Sequence, residues 1–471
     1  MSQLCFEVVV DYDDAYVQPI ILAALTSSLP SNSFRLLENF PERKRNDTSI
    51  VDTPTLPLLQ FRSYETIDFA LALSSPHNLM NAYIIRKALI RKHYLSNTIS
   101  SWLVKHNTSC LSRHFAPAVD FELDYAEFLD EALLEIYELH DSFARNMETP
   151  LEDREWWILK PSMSDRGQGI RLFSSEAELQ AIFDEWEAQN PDSEDEIDME
   201  IHAAQTSAEI AHEAAQLPDA ARDYITTSHL RHFTAQPYIS NPLLFPEAPF
   251  NNRKFHIRTY VVVAGALRVY VYKHMLALFA SAAYEPPSAM YKYTEEEDGE
   301  ADLLQQLRDI HLTNTCVQSA SAATSSSVVN DGVDSHVHLF SDLPLGKEAN
   351  AMIVTQIHDT TAELFRAALA HPVNFQTLPQ SFEVFGFDFL ISSNRCSVPE
   401  NTPELNAWLL EVNAFPDFAQ TGASLRDVVV RGLFEEVVAK IVGPHFEVPG
   451  AEVASEEPRL VKVLDIDLQR T

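Results

Sequence analysis

The chain has 471 residues, 46% of them hydrophobic, so it exceeds one typical domain and can bury a sizeable core. Lys and Arg total 34 against 69 Asp and Glu, a formal net charge of -35, which argues against direct nucleic-acid binding through a broad basic surface and against strongly acidic substrates. The four cysteines, Cys5, Cys110, Cys316 and Cys396, form no CxxC pair, which speaks against a disulfide scaffold or a cysteine zinc site and suits a reducing compartment.

In chain order, residues 4 to 10 (LCFEVVV) predict a buried strand and Val17 to Leu25 an apolar helix, joined by a solvated turn with Asp11, Asp13 and Asp14. The amino terminus has no basic n-region and no stretch is long and apolar enough to span a bilayer, so neither a signal peptide nor a membrane helix is expected. Residues 41 to 57 are polar and Pro-punctuated and predict a loop. From Pro76 to His106 apolar residues recur at helical spacing, with Arg86, Lys87, Arg91 and Lys92 on the other faces. Phe121 to Arg145 predicts a second, mostly acidic amphipathic helix. Residues 184 to 202 carry nine acids and no Lys or Arg, and read as a solvated insertion. Residues 285 to 347 hold another acidic run and a Ser/Ala tract, with disorder expected over Ser319 to Ser335; His336 and His338 beside it are either a metal pair or surface residues. Ala351 to Leu369 predicts an amphipathic helix, Leu425 to Val442 a closing helix, and residues 444 to 471 a polar tail.

Four stretches carry chemistry. In WWILKPSMSDRGQGI, Trp156 to Ile170, a strand bearing Lys160 ends at Pro161 and runs into a loop with Gly167 and Gly169. Glycines let backbone N–H groups approach phosphate oxygens, and a Lys at a strand end reaches the same phosphates as a point charge. In RKFHIRTY, Lys254, His256 and Arg258 alternate with Phe255 and Ile257, so all three share one strand face. Phe382 to Ile391 and Ala407 to Val412 predict paired strands of a long-looped hairpin, with Asp388 inside one and with Glu411 and Asn413 flanking Val412 on one side of the other. Carboxylates inside apolar strands are costly unless compensated, and three hard oxygen donors suit Mg2+ completed by water and phosphate. The alternative is that Asp388 and Glu411 each salt-bridge a core Lys or Arg. Setting three potential cations opposite these acids predicts a charge-complementary cleft.

The blocks WILKPSMSDRGQGI, FTAQPYISNP, RKFHIRTY, HLTN and FGFDFLI…LLEVNAFP occur in the order found in the tubulin tyrosine ligase-like branch of ATP-grasp enzymes, which the chain resembles across most of residues 80 to 443. The resemblance implies an α+β ATP-grasp fold: an amino-terminal α/β domain over 1–150, a central subdomain over 151–250, a carboxy-terminal subdomain over 251–443 with its insertion at about 285–347, and a tail over 444–471. It implies ATP and Mg2+ as cofactors and a carboxylate–amine ligase working through an acyl phosphate. It assigns Lys160, Arg166, Gly167, Gly169, Gln236, Tyr238, Ile239, Lys254 and Asn314 to the nucleotide, Lys254 and Arg258 to catalysis, and Asp388, Glu411 and Asn413 to the metal. Two positions depart from the family: His256 stands where it has Asp, and Leu278 where amino-acid-ligating members carry a carboxylate-gripping Arg. Both fall on the acceptor side, which keeps open a second function, an ATP-binding interaction module without amino-acid ligation. The chain also resembles the ligase-like domain of fungal P-body-associated proteins, implying a cytoplasmic protein substrate or partner of the mRNA-decapping kind rather than tubulin, whose acidic tail the net charge disfavours.

Overall fold

The computed structural model describes residues 4–37, 56–162, 167–188, 232–290, 304–313, 336–394, 404–450 and 458–467. Three sheets organise the chain. The first is parallel: β1 (Phe6–Asp11) lies between β2 (Phe34–Leu36) and β3 (Leu58–Arg62), and β3 pairs with β4 (Leu79–Met80). The helix Gln18–Ser28 covers it, packing Ile20, Ile21, Ala24 and Leu25 inward.

The second sheet is antiparallel, in the order β5 (Val119–Glu122), β8 (His232–Pro237), β6 (Trp157–Pro161), β7 (Arg171–Phe173). Side chains alternate along β6, so Trp157 and Leu159 enter an apolar cluster while Lys160 points to the other face. That cluster is closed by helical turns after β5, including helices Leu129–Leu133 and Tyr137–Met147, and by helix Glu176–Ala188. The expected single helix over Phe121 to Arg145 is thus corrected. Its first residues pair with β8 in the register Phe121↔Phe233, and the rest is broken into short helices.

The third sheet is the largest. Its axis is β9 (Arg253–Ala264), buried from end to end. Twelve residues of length let β11 (Leu276–Ala283) pair with the first half of β9 and β10 (Arg268–Tyr272) with the second, while β13 (Phe382–Asn394) runs along it from Ala264 to His256. The edges are completed by β12 (Val337–Leu339) on β11, β14 (Glu404–Asn413) on β13 and β15 (Leu460–Asp465) on β10. The polar tail expected over 444–471 therefore contains an edge strand of the main sheet. One face of β9, with Phe255, Ile257, Val261 and Val263, packs in a core with helix Lys347–Leu369. The other, with Tyr260, Val262 and Ala264, meets the amino-terminal sheet and the helical turns of residues 422–445.

The hairpin of β13 and β14 agrees with the sequence expectation. The long basic helix expected from Pro76 does not form as one element: residues 79–80 are strand β4, and helix follows at Lys87–Ile90 and Lys92–Lys105. His338 lies edge-on against Phe250 and Phe279, and His336 Nδ1 is 3.1 Å from Arg253 Nη1. The loop over 41–55, most of the acidic insertion and the Ser319 to Ser335 tract lie outside the described residues.

Candidate functional site

Cross-strand register builds the site. Arg258 on β9 is directly opposite Asp388 on β13, and Asp388 is opposite Glu411 on β14, so three charged residues form one row across three strands. A register shift after Asp388 leaves Leu410 as the extra residue of β14, and Asn413 pairs with Gly386 one step along on the same face. Arg258 donates to both oxygens of Asp388, Nε to Oδ1 at 2.5 Å and Nη2 to Oδ2 at 3.0 Å. Both residues are buried, so this is a charge-assisted fork inside the sheet. Burial alone would lower the Arg258 guanidinium; Asp388 outweighs it and holds the group above its ordinary value. The charged groups expected to face each other across a cleft are therefore side by side in one sheet. For Asp388 the core-salt-bridge alternative is realised.

Asn413 Nδ2 lies 3.3 Å from Asp388 Oδ2 and 3.3 Å from Glu411 Oε1, so the three side chains expected to bind metal converge on one point. Turning the amide over would present Oδ1 to the same point. The donors are hard oxygens from two carboxylates and one amide, and Glu411 and Asn413 are only half-buried. Each Asp388 oxygen keeps acceptor capacity beyond its bond to Arg258. The set fits a Mg2+ that draws its remaining ligands from water and phosphate. Among the described residues there is no cluster of three or more His, Cys, Asp and Glu that would suit a transition metal instead.

Sequence reasoning missed Gly386, although the sole glycine of FGFDFLI was visible. A Cβ there would meet Pro416 Cβ at 2.9 Å and Arg258 Cδ at 3.2 Å, so the absence of a side chain is what lets the arginine lie across the strand to Asp388.

Two buried lysines supply positive charge. Lys160 Nζ donates to Gln236 Oε1 at 2.7 Å, and Gln236 Nε2 donates to the Ala116 carbonyl at 3.1 Å. Gln236, expected at a nucleotide base, thus links Lys160 to the backbone of Ala116. Lys254 Nζ donates to the Tyr238 hydroxyl at 3.1 Å and sits 4.6 Å from its ring centroid, and that hydroxyl also bonds His311 Nδ1 at 2.7 Å. The Tyr238 backbone N–H is spent on the Trp156 carbonyl, and Ile239 is half-buried. Burial pushes Lys160 down to about 8 and, with help from Lys160, pushes Lys254 down to about 7. Neither lysine has a carboxylate within ion-pair distance among the described residues.

His256 lies between Lys254 and Arg258 on β9. Burial, then the positive charge of Arg258, push it down to about 3, so it is a neutral imidazole. Its Nδ1 bonds Thr313 Oγ1 at 2.6 Å, and Nε2 is 3.5 Å from Asp388 Oδ1. Leu278 is its direct cross-strand neighbour, fully buried in the apolar cluster beneath. Gly167 and Gly169 have φ of 79° and 68°, the left-handed region that a residue with a Cβ avoids. Arg166 and Asn314 lie outside the described residues.

A main antiparallel sheet carrying paired carboxylates and cations, facing a smaller antiparallel sheet with a lysine and a glycine turn, defines an ATP-grasp protein. Among solved structures it is similar to the carboxy-terminal domain of Kluyveromyces lactis Pby1, an ATP-grasp enzyme interacting with the mRNA decapping enzyme Dcp2. The likeness has TM-score 0.62 and 32% identity over 98% of this chain and 99% of that one. The tubulin-tyrosine ligase family matches residues 74–452, and the chain belongs to that family. The probable tubulin–tyrosine ligase PBY1 of Saccharomyces cerevisiae is 38% identical over 96% of this chain and 54% of its own length; this chain therefore spans about half of that relative. A probable tubulin–tyrosine ligase of Schizosaccharomyces pombe is 36% identical over 94% of this chain and 92% of its own.

Proposed function

We propose that the chain is an ATP- and Mg2+-dependent carboxylate–amine ligase acting on a protein substrate through an acyl phosphate. The observation that carries the reading is the pair of buried lysines: Lys160 and Lys254 are held by neutral partners, each pushed by burial below its ordinary pKa. Desolvated cations of this kind are stabilised by a polyanion, and a triphosphate supplies one. When bound, ATP supplies the phosphoryl group that activates a carboxylate, and Mg2+ neutralises the phosphate chain.

The residues divide the work. Asp388, Glu411 and Asn413 would hold the metal. Gln236 orients Lys160 toward the phosphates, and Tyr238 orients Lys254. Arg258, fixed by Asp388, places a permanent cation beside the metal donors, where negative charge builds as a carboxylate is activated. Gly167 and Gly169 shape the turn above the phosphates. His256, held neutral, adds no charge of its own beside the metal donors, and its Nε2 lies toward Asp388 without a hydrogen-bond partner.

A second reading rests on a specific observation. The His256–Leu278 pair puts a neutral ring and an apolar side chain where a zwitterionic amino acid would need opposite charges. This supports an ATP-binding module in a decapping assembly, as the interaction named for the K. lactis domain suggests. Calorimetric titration with ATP and Mg2+, with Lys160→Ala in parallel, tests both. Saturable binding lost in the variant is expected. Absence of binding to the parent protein would overturn the ligase and the ATP-module readings together, whereas phosphate release on adding a protein acceptor would favour the ligase.

A further inference from the structure

Between residues 114 and 144 the chain has no Lys or Arg, while residues 124 to 141 carry seven acids, all of them exposed. The inner residues of this layer, among them Leu123, Ala126, Leu129, Leu133, Ile136 and Leu139, enter one apolar cluster against the small sheet. The residues between them consequently share the outer side. That side also exposes large apolar groups: Tyr125 is 56% exposed, Phe128 43%, Leu134 66% and Tyr137 70%. Tyr125 and Phe128 already pack edge to face, with ring centroids 6.1 Å apart. Scattered single apolar residues on a surface are ordinary, but four large ones within thirteen positions, set among seven acids, form a patch.

We propose that this outer layer is a docking surface for a basic amphipathic segment of a partner protein. Aromatic and leucine anchors provide the apolar core of such an interface, and the acidic rim selects cationic flanks and steers their approach. Charge decides against other occupants. A second copy would bring the same acids to the same face, and an anionic membrane surface or a nucleic acid would be repelled. The layer covers the face of the small sheet that bears Trp157 and Leu159, whereas Lys160 points from the opposite face. A partner can therefore seat here without entering the nucleotide cleft, and the proposal does not depend on the ligase reading.

The test uses the whole chain and a fluorescent Leu/Lys peptide patterned as an amphipathic helix, read by anisotropy. A peptide of the same composition, ordered to lack an apolar face, serves as control. The expected result is saturable binding of the patterned peptide that weakens with salt and falls by about tenfold or more in Tyr125→Ser/Leu134→Ser/Tyr137→Ser. The substituted side chains are exposed, so the variant should retain the circular dichroism and ATP response of its parent. Glu131→Lys/Glu135→Lys/Glu138→Lys, which keeps every apolar anchor, should weaken binding to a similar degree. The proposal is overturned if the control peptide binds equally, if either variant binds like the parent, or if sedimentation shows that the serine variant has lost a dimer contact.

Discussion

Asp388→Ala tests whether the buried carboxylate serves only a metal or also holds the sheet together. In the parent, both Asp388 oxygens accept from Arg258, at 2.5 and 3.0 Å, and the two residues are 3% and 7% exposed. Removing the carboxylate leaves a guanidinium that cannot lose its proton in a site with little water. Breaking one side of such a pair costs about 3–5 kcal/mol. Glu411, next in the row and attractive to Arg258, offsets part of that and sets the lower end as the expectation. With Arg258→Ala as the second single change, Arg258→Ala/Asp388→Ala removes both charges, so its cost should fall short of the sum of the two single changes by about 2 kcal/mol or more. Urea unfolding followed by circular dichroism gives all three values. Additive costs, or an Asp388→Ala midpoint equal to the parent's, would refute the claim that this pair compensates itself.

Glu411→Gln is the cleaner probe of the metal, because Glu411 is half-buried and engages Asn413 only at 3.3 Å. Stability should move by less than about 1 kcal/mol, while Mg2+-dependent ATP affinity measured by calorimetry falls about tenfold or more; unchanged affinity would remove Glu411 from the metal set. The lysines predict a proton linkage. Their folded values, about 8 and about 7, lie below the ordinary 10.5, so the folded state binds fewer protons than the unfolded one in that window. Stability of the free protein should therefore rise with pH from about 7 toward 10. ATP, by favouring the charged lysines, should bind with uptake of about one proton near pH 7.5, seen as a buffer-dependent heat; a heat independent of buffer would contradict the desolvated-lysine argument. Leu278→Arg should destabilise by about 3 kcal/mol or more, because it drives an unpaired charge into a fully buried apolar cluster. A thermal midpoint equal to the parent's would show that the cluster is looser than its packing implies.

The parts of the fold legible in the sequence were those whose signal is local. The β13–β14 hairpin followed from two apolar runs with a polar break, and the shared side of Glu411 and Asn413 followed from strand alternation, as the register bears out. Lys254, His256 and Arg258 fell on one face for the same reason. What failed depended on distant partners. Phe121 reads as the start of a helix because buried positions recur every three or four residues, yet its backbone pairs with Phe233, more than a hundred residues away. The strand Leu460–Asp465 alternates poorly, with Val461 and Lys462 both exposed, and only the edge of β10 makes it a strand. The site was similarly divided. The residue types were readable, but not that Arg258 would take both oxygens of Asp388, nor that Gln236 would bond Lys160. Both outcomes require three-dimensional neighbours that no spacing rule specifies.

The placement of β15 bears on how the protein is made. Its partner β10 ends at Tyr272, and β15 begins at Leu460, so β11 to β14 and the helix Lys347–Leu369 are all synthesised between them. At roughly 5–20 residues per second, the nascent chain carries an open β10 edge for about 10–40 s. During that interval the unpaired N–H and C=O groups of the largest sheet are a template for any other extended chain nearby. The edge is closed by a strand made long after β10, which ties folding of the main sheet to the progress of translation.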